Sequence, residues 1–496
     1  MVHPANKTAN IKLAKEMSYL LPDLPEDIWQ HIHSLMQLRD AARAACVSRT
    51  FLHSWRRHPN LTLTVQSVGC YDFTRKVDQI LKKHSGVGVK TVNLEFVECY
   101  NANASNYLDS WLQIAITPRI EALTLKIFSD EFWDDEFSDD EFSDNGFSCE
   151  LKYKFPCSLL SNGNGSSIQY LQLECCTFQP QLGCLGSLTS LHLRCVRITG
   201  DELGCLLSNS LVLERLELSW CFKITSLKIP CLLRCLSYLH VYGCNKLREI
   251  DNQAQNLCRI YLGEFPALYT PRESLHLGEL LYLKSIDMMS CSNAYYARAE
   301  IPSIAPNVET LTVCSLREMA DTPMAPSKFI HLKHLTIRLL RVNLSPAYDY
   351  FSLASFIDAS PNLETFSLSV PPELMEHDSI FASSADLRQM PQWRHHKLQS
   401  FKITLFCSVK SLVELTCHIL ENTTSLEVVT LDTTFGSFRC LDKDNIVGKC
   451  RSMPRGNIME AHKALLAIKT YIKTKVPDTV KLNVVEPCRR CHGIEL

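Results

Sequence analysis

A repeated spacing of leucines constrains the fold of this chain more than any other feature of its 496 residues. The repeating unit is L-x-x-L-x-L, often followed by a cysteine, as in Leu188 to Cys195, Leu213 to Cys221 and Leu236 to Cys244. The second anchor of the unit recurs mostly at steps of 20 to 35 residues, at positions 123, 171, 191, 216, 239, 260, 286, 311, 335, 366, 401 and 429. Self-similarity at such a period predicts a stacked repeat architecture.

The alternation within each unit predicts a short strand with one apolar face. One repeat cannot bury that face alone, but stacked neighbours form a parallel sheet with a continuous apolar ladder. The stretches between strands, such as Asp201 to Ser208, predict helical turns. The expected fold class is therefore α/β: a short all-α N-terminal domain followed by a leucine-rich-repeat solenoid, which is a curved parallel sheet with helices and turns on its convex side.

The cysteines fit the same repeat. The chain has 23, an odd number spread along its whole length, which does not predict a small disulfide scaffold. Cys175, Cys195, Cys221, Cys244 and Cys291 follow their anchors by four or five residues, where a small apolar side chain can pack at the strand exit. A redox or metal role is the weaker alternative, because metal ligands need to cluster.

Residues that alternate out of the apolar ladder are predicted to line the concave face. They are rich in Tyr, His and Arg, the types that anchor protein interfaces. The alternative is ordinary solvated strand surface. The predicted target-binding residues are Tyr170, His192, Arg194, Arg215, Tyr238, His240, Tyr242, Arg259 and Tyr261.

Residues 21–61 do not follow the repeat and predict three short amphipathic helices. Asp23 is expected to cap a first helix that begins near Pro25, a second helix follows Asp40, and a third runs from Phe51 to Trp55. So small a core is expected to be completed by a partner.

One partner is suggested by a resemblance. Leu24-Pro25-Glu26-Asp27-Ile28, the segment Arg39 to Ala44, and Val47-Ser48-Arg49 resemble the F-box motif in order and spacing. In that family the motif binds a Skp-type adaptor, which joins it to a cullin and a RING protein. Carried over by position, the resemblance implies an adaptor interface formed by Leu24, Pro25, Ile28, Ile32, Leu35 and Val47.

The rest of the chain resembles plant proteins that combine an F-box with leucine-rich repeats, particularly those of grasses. The resemblance rests on the repeats from Leu398 to Leu431, on Ala461 to Ala464, and on the ending from Val485 to Cys488. It implies the substrate-recognition subunit of a Skp-cullin-F-box ubiquitin ligase, without catalysis of its own. The alternatives are an interaction scaffold not coupled to ubiquitination and a co-receptor that holds a small ligand on the concave face.

These interpretations predict the organisation of the chain. Helical spacing from Ala464 to Ile472, a break at Pro477 and alternation over 480–484 predict a terminal cap. The expected parts are a disordered tail over 1–17, the F-box over 18–64, a transition over 65–90, repeats over 91–455 with an acidic insertion over 129–148, and the cap over 456–496.

The insertion contains nine Asp or Glu residues and no Lys or Arg between Asp130 and Asp144. It reads as a tandem duplication with too few apolar positions to pack, which favours a solvated loop. The alternative is a regulated acidic segment, in which Ser138 has the acidic flank that an acidophilic kinase accepts.

Other function classes find little support. No run is long and apolar enough for a membrane helix, residues 1–16 lack the apolar core of a signal peptide, and the net charge of −2 gives no pull toward nucleic acid. Nucleus or cytoplasm is the expected location. No phosphate loop or hydrolase motif occurs, so no catalytic group, cofactor or metal is expected. Cys488-x-x-Cys491-His492 matches a haem-attachment pattern, or a zinc site completed by Cys440 or Cys450, and both interpretations are set aside.

Overall fold

A computed structural model describes the chain over residues 24–69, 72–97, 104–128, 153–161, 163–181, 183–264, 275–278, 280–291, 293–318, 321–340, 348–370, 379–382, 387–388, 394–434 and 453–487. The chain forms two compact units, Met1–Ser237 with Cys244–Asn256, and Tyr238–Gly243 with Leu257–Leu496. We refer to them as unit 1 and unit 2.

The strands of the described residues follow one another at the predicted repeat spacing. They are β1 (Asn60–Leu63), β2 (Thr91–Val97), β3 (Ala122–Phe128), β4 (Tyr170–Glu174), β5 (Ser190–Arg194), β6 (Arg215–Ser219), β7 (Ser226–Ile229), β8 (Tyr238–Tyr242), β9 (Glu249–Asn252), β10 (Arg259–Gly263), β11 (His276–Leu277), β12 (Ser285–Cys291), β13 (Thr310–Arg317), β14 (His334–Leu339), β15 (Thr365–Ser369), β16 (Ser400–Thr404), β17 (Val428–Asp432) and β18 (Lys481–Val485).

Helices occupy the N-terminal region and many of the connections between strands. They are α1 (Glu26–Ser34), α2 (Leu38–Ala45), α3 (Arg49–Arg56), α4 (Val65–Val68), α5 (Phe73–Lys83), α6 (Ala104–Ala115), α7 (Gly200–Asn209), α8 (Asn293–Ala299), α9 (Ile301–Ile304), α10 (Ala354–Ala359), α11 (Lys410–Asn422) and α12 (Arg455–Ala467). Short 3₁₀ turns lie at Cys157–Leu160, Tyr350–Leu353 and Lys473–Lys475, and a π-turn at Ile468–Ile472.

In unit 1, β1 to β6 pair in parallel and in chain order. Two buried register rows cross all six strands. One is formed by Leu61, Val92, Leu123, Leu171, Leu191 and Leu216, and the other by Leu63, Leu94, Leu125, Leu173, Leu193 and Leu218. The same unit contains a smaller parallel pair, β7 with β9, in which Leu227 lies opposite Ile250. The apolar ladder of unit 1 thus begins at β1.

In unit 2, β8, β10 and then β12 to β18 pair in parallel. The register row joins the predicted anchors directly: Leu239, Ile260, Ile286, Leu311, Leu335, Phe366, Phe401 and Val429, ending at Leu482. Phe366 and Phe401 stack with ring centroids 5.4 Å apart. The predicted fold class, short N-terminal helices followed by α/β repeats on a parallel sheet, is confirmed.

One detail of the N-terminal prediction is wrong, because the second helix begins at Leu38, before Asp40. The third helix covers Arg49–Arg56 and so includes the predicted stretch from Phe51 to Trp55. The residue at the cap position of α1 is Pro25, with no side-chain cap bond, and Asp23 lies outside the described residues. The predicted transition over 65–90 contains α4 and α5, and β1 lies within the predicted F-box range.

The strand exits explain where the cysteines lie. Cys195, Cys221 and Cys244 are buried as predicted, but Cys175 is only half-buried, and its neighbour Cys176 is fully buried instead. Cys175 and Cys195 both have a left-handed backbone, with φ of 55° and 51°, so this angle alone does not determine how deeply the side chain is buried. Burial raises the pKa of the Cys176 thiol, which keeps it protonated.

The left-handed backbone recurs directly after a strand. It is found at Cys175, Cys195, Trp220, Gly243 and Leu405, which follow β4, β5, β6, β8 and β16. The side chain of Cys291 lies outside the description, as do the predicted tail, the acidic block from Asp130 to Asp144, and the Cys440, Cys450, Cys488, Cys491 and His492 group.

The helices use local capping. For α7, which confirms the helix expected from Asp201 to Ser208, the Thr199 hydroxyl accepts from the Glu202 N–H at 3.2 Å and the Glu202 carboxylate accepts from the Thr199 N–H at 2.8 Å. At the C-terminus, α12 and the π-turn precede β18, which pairs with β17, as the predicted cap requires. None of the described helices is long and apolar enough to cross a membrane.

One buried carboxylate caps a helix of unit 2. Glu318 is almost fully buried, and its Oε1 accepts from the Ala294 N–H at 2.7 Å, at the start of α8. Ser315 Oγ also donates to Oε1, whereas Oε2 has no hydrogen-bond partner among the described residues. Burial raises the pKa of Glu318 from 4.5 to about 6.

Substituting Gly243→Ala should lower the free energy of unfolding by about 1 kcal/mol, because a Cβ at φ of 64° is strained. Its control is Gly204→Ala within α7, where an added Cβ meets nothing within 4 Å and should stabilise by about 1 kcal/mol. Urea unfolding of both variants measures the difference. Equal changes in unfolding free energy, with the same sign, would contradict the claim that a Cβ at Gly243 is strained.

The Glu318→Gln variant should remove a pH dependence. The folded protein binds the Glu318 proton more tightly than the unfolded chain does. The contribution of Glu318 to the free energy of unfolding should therefore fall by about 2 kcal/mol as pH rises from about 4 to about 7. The difference in unfolding free energy between the wild type and the variant should therefore change by that amount over the window. A difference that stays constant with pH would contradict the raised pKa.

Candidate functional site

The N-terminal helices expose an unusual number of aliphatic side chains. Ile28 and Ile32 on α1 are 41% and 37% exposed, Leu35 after α1 is 77% exposed, and Val47 after α2 is 42% exposed. Leu24 is half-buried and Pro25 is exposed. Several exposed aliphatic side chains within so short a segment are typical of a surface that a partner covers.

The opposite side of the helices is packed. Phe51 of α3 meets Trp29 and His33 of α1, with ring centroids 4.9 Å away in each case. Ala41 of α2 and Trp55 of α3 are buried. The aliphatic face is therefore not required to hold the three helices together.

Polar contacts fix the helices to the first strand. Asn60 at the start of β1 donates from Nδ2 to the Ser34 carbonyl at 3.1 Å, and its Oδ1 accepts from the Thr91 hydroxyl at 3.0 Å. His58 is buried, lies 3.2 Å from the Met36 carbonyl through Nε2, and accepts from the Asn60 N–H through Nδ1. Burial lowers the pKa of His58, consistent with a neutral ring that joins the helices to the sheet.

The predicted face residues of unit 1 form one connected group. Tyr170 donates to Gln172 at 2.7 Å, and its ring lies 5.0 Å from that of His192. His192 Nδ1 contacts the Glu217 carboxylate at 2.7 Å, and Arg215 Nε donates to the same carboxylate at 2.9 Å. Arg194 lies two residues beyond His192 on β5 and is exposed. We call Tyr170, His192, Arg194, Arg215 and Glu217 the charged group.

The predicted face residues of unit 2 form an aromatic group. His240 and Tyr261 are stacked, with centroids 4.3 Å apart and an interplanar angle of 5°. Tyr242 lies 6.4 Å from Tyr261, and the Tyr238 hydroxyl lies 3.3 Å from His240 Nδ1. We call Tyr238, His240, Tyr242 and Tyr261 the aromatic group. Arg259 is exposed on the strand that contains Tyr261.

A glycine makes room for these rings. A Cβ at Gly263 would lie 2.5 Å from Tyr242 Cδ2 and 2.9 Å from Tyr261 Cε1, closer than real Cβ contacts occur. Burial raises the pKa of Tyr261 to about 12, with a further contribution from Asp287. Asp287 lies opposite Tyr261 in the register, and burial raises its pKa as well. The sequence prediction missed Gly263 and Asp287, although Asp287 occupies the outward position of the unit that begins at Leu283.

The described residues contain no cluster of three or more His, Cys, Asp or Glu side chains arranged to hold a metal ion. The charged group and the aromatic group consist instead of hydrogen-bonding and ring-bearing side chains on rigid strands. Such surfaces recognise proteins or peptides through a few buried anchors.

Comparison with known proteins gives two family matches. A family model described as "At1g61320/AtMIF1, LRR domain" matches residues 80–489, and the F-box domain model matches residues 21–63. The Arabidopsis thaliana "F-box/FBD/LRR-repeat protein At1g13570" is 24% identical over 438 residues, which cover 86% of this chain and 92% of that protein. Among solved structures, the leucine-rich-repeat protein LIC12759 of Leptospira interrogans is 14% identical with a TM-score of 0.30, covering 75% of this chain and 78% of that one.

Proposed function

Because this chain belongs to the At1g61320/AtMIF1 leucine-rich-repeat family and has an N-terminal F-box, we propose that it is the substrate-recognition subunit of a Skp-cullin-F-box ubiquitin ligase. The F-box would bind the Skp-type adaptor, which joins it to the cullin and RING subunits, and the repeats would bind a target protein. The Arabidopsis relative, whose name includes both an F-box and leucine-rich repeats, supports a plant F-box and leucine-rich-repeat protein. The proposed location is the nucleus or the cytoplasm.

The observation that carries the proposal is the exposed aliphatic face of the F-box. Four branched side chains, Ile28, Ile32, Leu35 and Val47, remain accessible while the other side of the same helices is fixed to β1. Covering one such side chain completely contributes about 1.5–3 kcal/mol of transfer free energy. With Leu24 and Pro25, these residues form the proposed adaptor interface.

The proposed role is positional. A subunit that holds a target near a charged conjugating enzyme raises the effective concentration of a target lysine without chemistry of its own. The rigid attachment of the F-box to β1 suits this role, because a loose joint would dilute the lysine over a larger volume. The matched families include no catalytic one.

The proposed target surface consists of the charged group and the aromatic group with Arg259. Tyr and Arg anchors in rigid surroundings contribute much of the binding energy of typical interfaces. The stacked pair His240–Tyr261 is preorganised, so it loses little conformational freedom when a partner binds. Each group would contact its own part of a target.

The double variant Leu35→Asp with Val47→Asp should retain at least about tenfold less adaptor in a pull-down, because it places charges in a face that loses its water when the adaptor binds. Both side chains are exposed, so the fold should be unaffected. The control is Leu232→Asp, at a turn of the repeats where the leucine is 54% exposed. Wild-type retention by the double variant would refute adaptor docking through this face.

The double variant His240→Ala with Tyr261→Ala should lose the target while keeping the adaptor, since the removed rings lie in the repeats. Proximity labelling with the proteasome inhibited identifies the proteins held by wild type, by this variant and by the F-box variant above. A target should be labelled by the wild type and by the F-box variant but not by the ring variant. Its abundance should also rise when the chain is absent. Partners whose abundance does not change would indicate a scaffold outside ubiquitination.

A further inference from the structure

A cavity of about 650 Å³ lies between the F-box and the first repeat, within unit 1. Leu38 of α2 and Trp55 of α3 contribute apolar wall from the F-box, and Val68 of α4 and Ile80 of α5 contribute it from the repeat. Leu38 and Trp55 are buried, and Val68 and Ile80 are half-buried. Cavities of this volume suit small ligands rather than single ions.

The mouth of the cavity is positively charged. Arg39 and Arg43 project from α2, Lys76 and Lys83 belong to α5, and the described residues that line the cavity include no Asp or Glu. Lys76 Nζ donates to the Val68 carbonyl at 3.2 Å, which holds this cation beside the cavity. Asp40 offsets part of the charge, 3.7 Å from Arg43, but both side chains are exposed and the contact is weak.

A second observation comes from the wall. Trp55 is 6% exposed, and its indole Nε1–H is buried with no acceptor in the part of the chain that the structure describes. A buried donor without a partner costs about 1–3 kcal/mol, so such groups are rare without a reason. An acceptor atom on a molecule bound against Trp55 would remove this penalty.

From these observations we propose that the cavity binds an amphipathic organic anion, with an aromatic or alicyclic body and one carboxylate, sulfonate or phosphate group. The apolar wall takes the body, the anionic group pairs with Arg39, Arg43, Lys76 and Lys83, and a ligand oxygen accepts from Trp55. A neutral apolar compound would leave the cations unpaired. A small inorganic anion would leave the apolar wall of the cavity in contact with water. This inference does not rest on the proposed function.

The probe pair is anilinonaphthalene sulfonate and phenylnaphthylamine, which have the same ring body with and without the anionic group. Fluorescence titration of the full-length protein should show saturable binding of one sulfonate per chain, with at least about tenfold weaker binding of the neutral probe. Naphthoate should displace the sulfonate. Hydrogen exchange should show protection of amides in α2 and α5 when the sulfonate is bound.

The double variant Arg43→Glu with Lys83→Glu should weaken sulfonate binding by about tenfold or more, since two attractive charges become repulsive. The matched control is Arg75→Glu with Lys82→Glu, the same charge change on α5 at residues that do not line the cavity. Trp55→Phe keeps a ring but removes the N–H, and should weaken binding severalfold. Circular dichroism confirms that each variant is folded.

Equal binding of the two probes, or unchanged sulfonate binding in the Arg43 and Lys83 double variant, would overturn the proposal. Protection confined to elements other than α2 and α5 would do the same. If the sulfonate binds only after residues 1–23 are removed, the cavity is occupied by the chain's own N-terminal segment, and the proposal is also overturned.

Discussion

The structure depends on the burial of two apolar rows per unit by neighbouring strands. In each unit the apolar residues meet in register, so that on every inner strand they pack between those of the strand before and the strand after. No repeat can fold alone under this constraint, and each derives its stability from its neighbours. The outward residues are then free to vary, because the rows below them already determine where the backbone lies.

The two ends of this arrangement are closed in different ways. At the C-terminal end, β18 pairs with β17 and follows the long helix α12. At the N-terminal end, the F-box helices are joined to β1 through Asn60 and the buried ring of His58. A second buried histidine continues the connection, since His84 Nε2 lies 3.0 Å from the His58 carbonyl and burial lowers the pKa of His84. The F-box is thus also the cap of the first strand.

Much of the fold could be predicted from the sequence because the repeat has a simple physical cause. The anchors at 239, 260 and 286 are register partners in the structure. The anchors of the first two strands were missed. The β2 unit has Val89 and Val92 where leucine was expected, and β1 lies within the range predicted for the F-box. The burial of Cys175 could not be predicted from spacing, since Cys195 has the same offset from its anchor and the same left-handed backbone but is buried. Neither the stack of His240 on Tyr261 nor the unpaired N–H of Trp55 was predictable, because both depend on contacts between distant segments.

Because parallel strands are evenly spaced, the number of repeats between two strands determines the distance between them. Neighbouring strands lie about 4.8 Å apart, so β5, four positions from the F-box anchor at β1, lies about 19 Å from it along the hydrogen-bonding direction. Gain or loss of one repeat between them would move His192 and its neighbours by a single strand width without redesigning any contact. In this way duplication or deletion of repeats within the gene would change the distance between the charged group and the F-box in fixed increments.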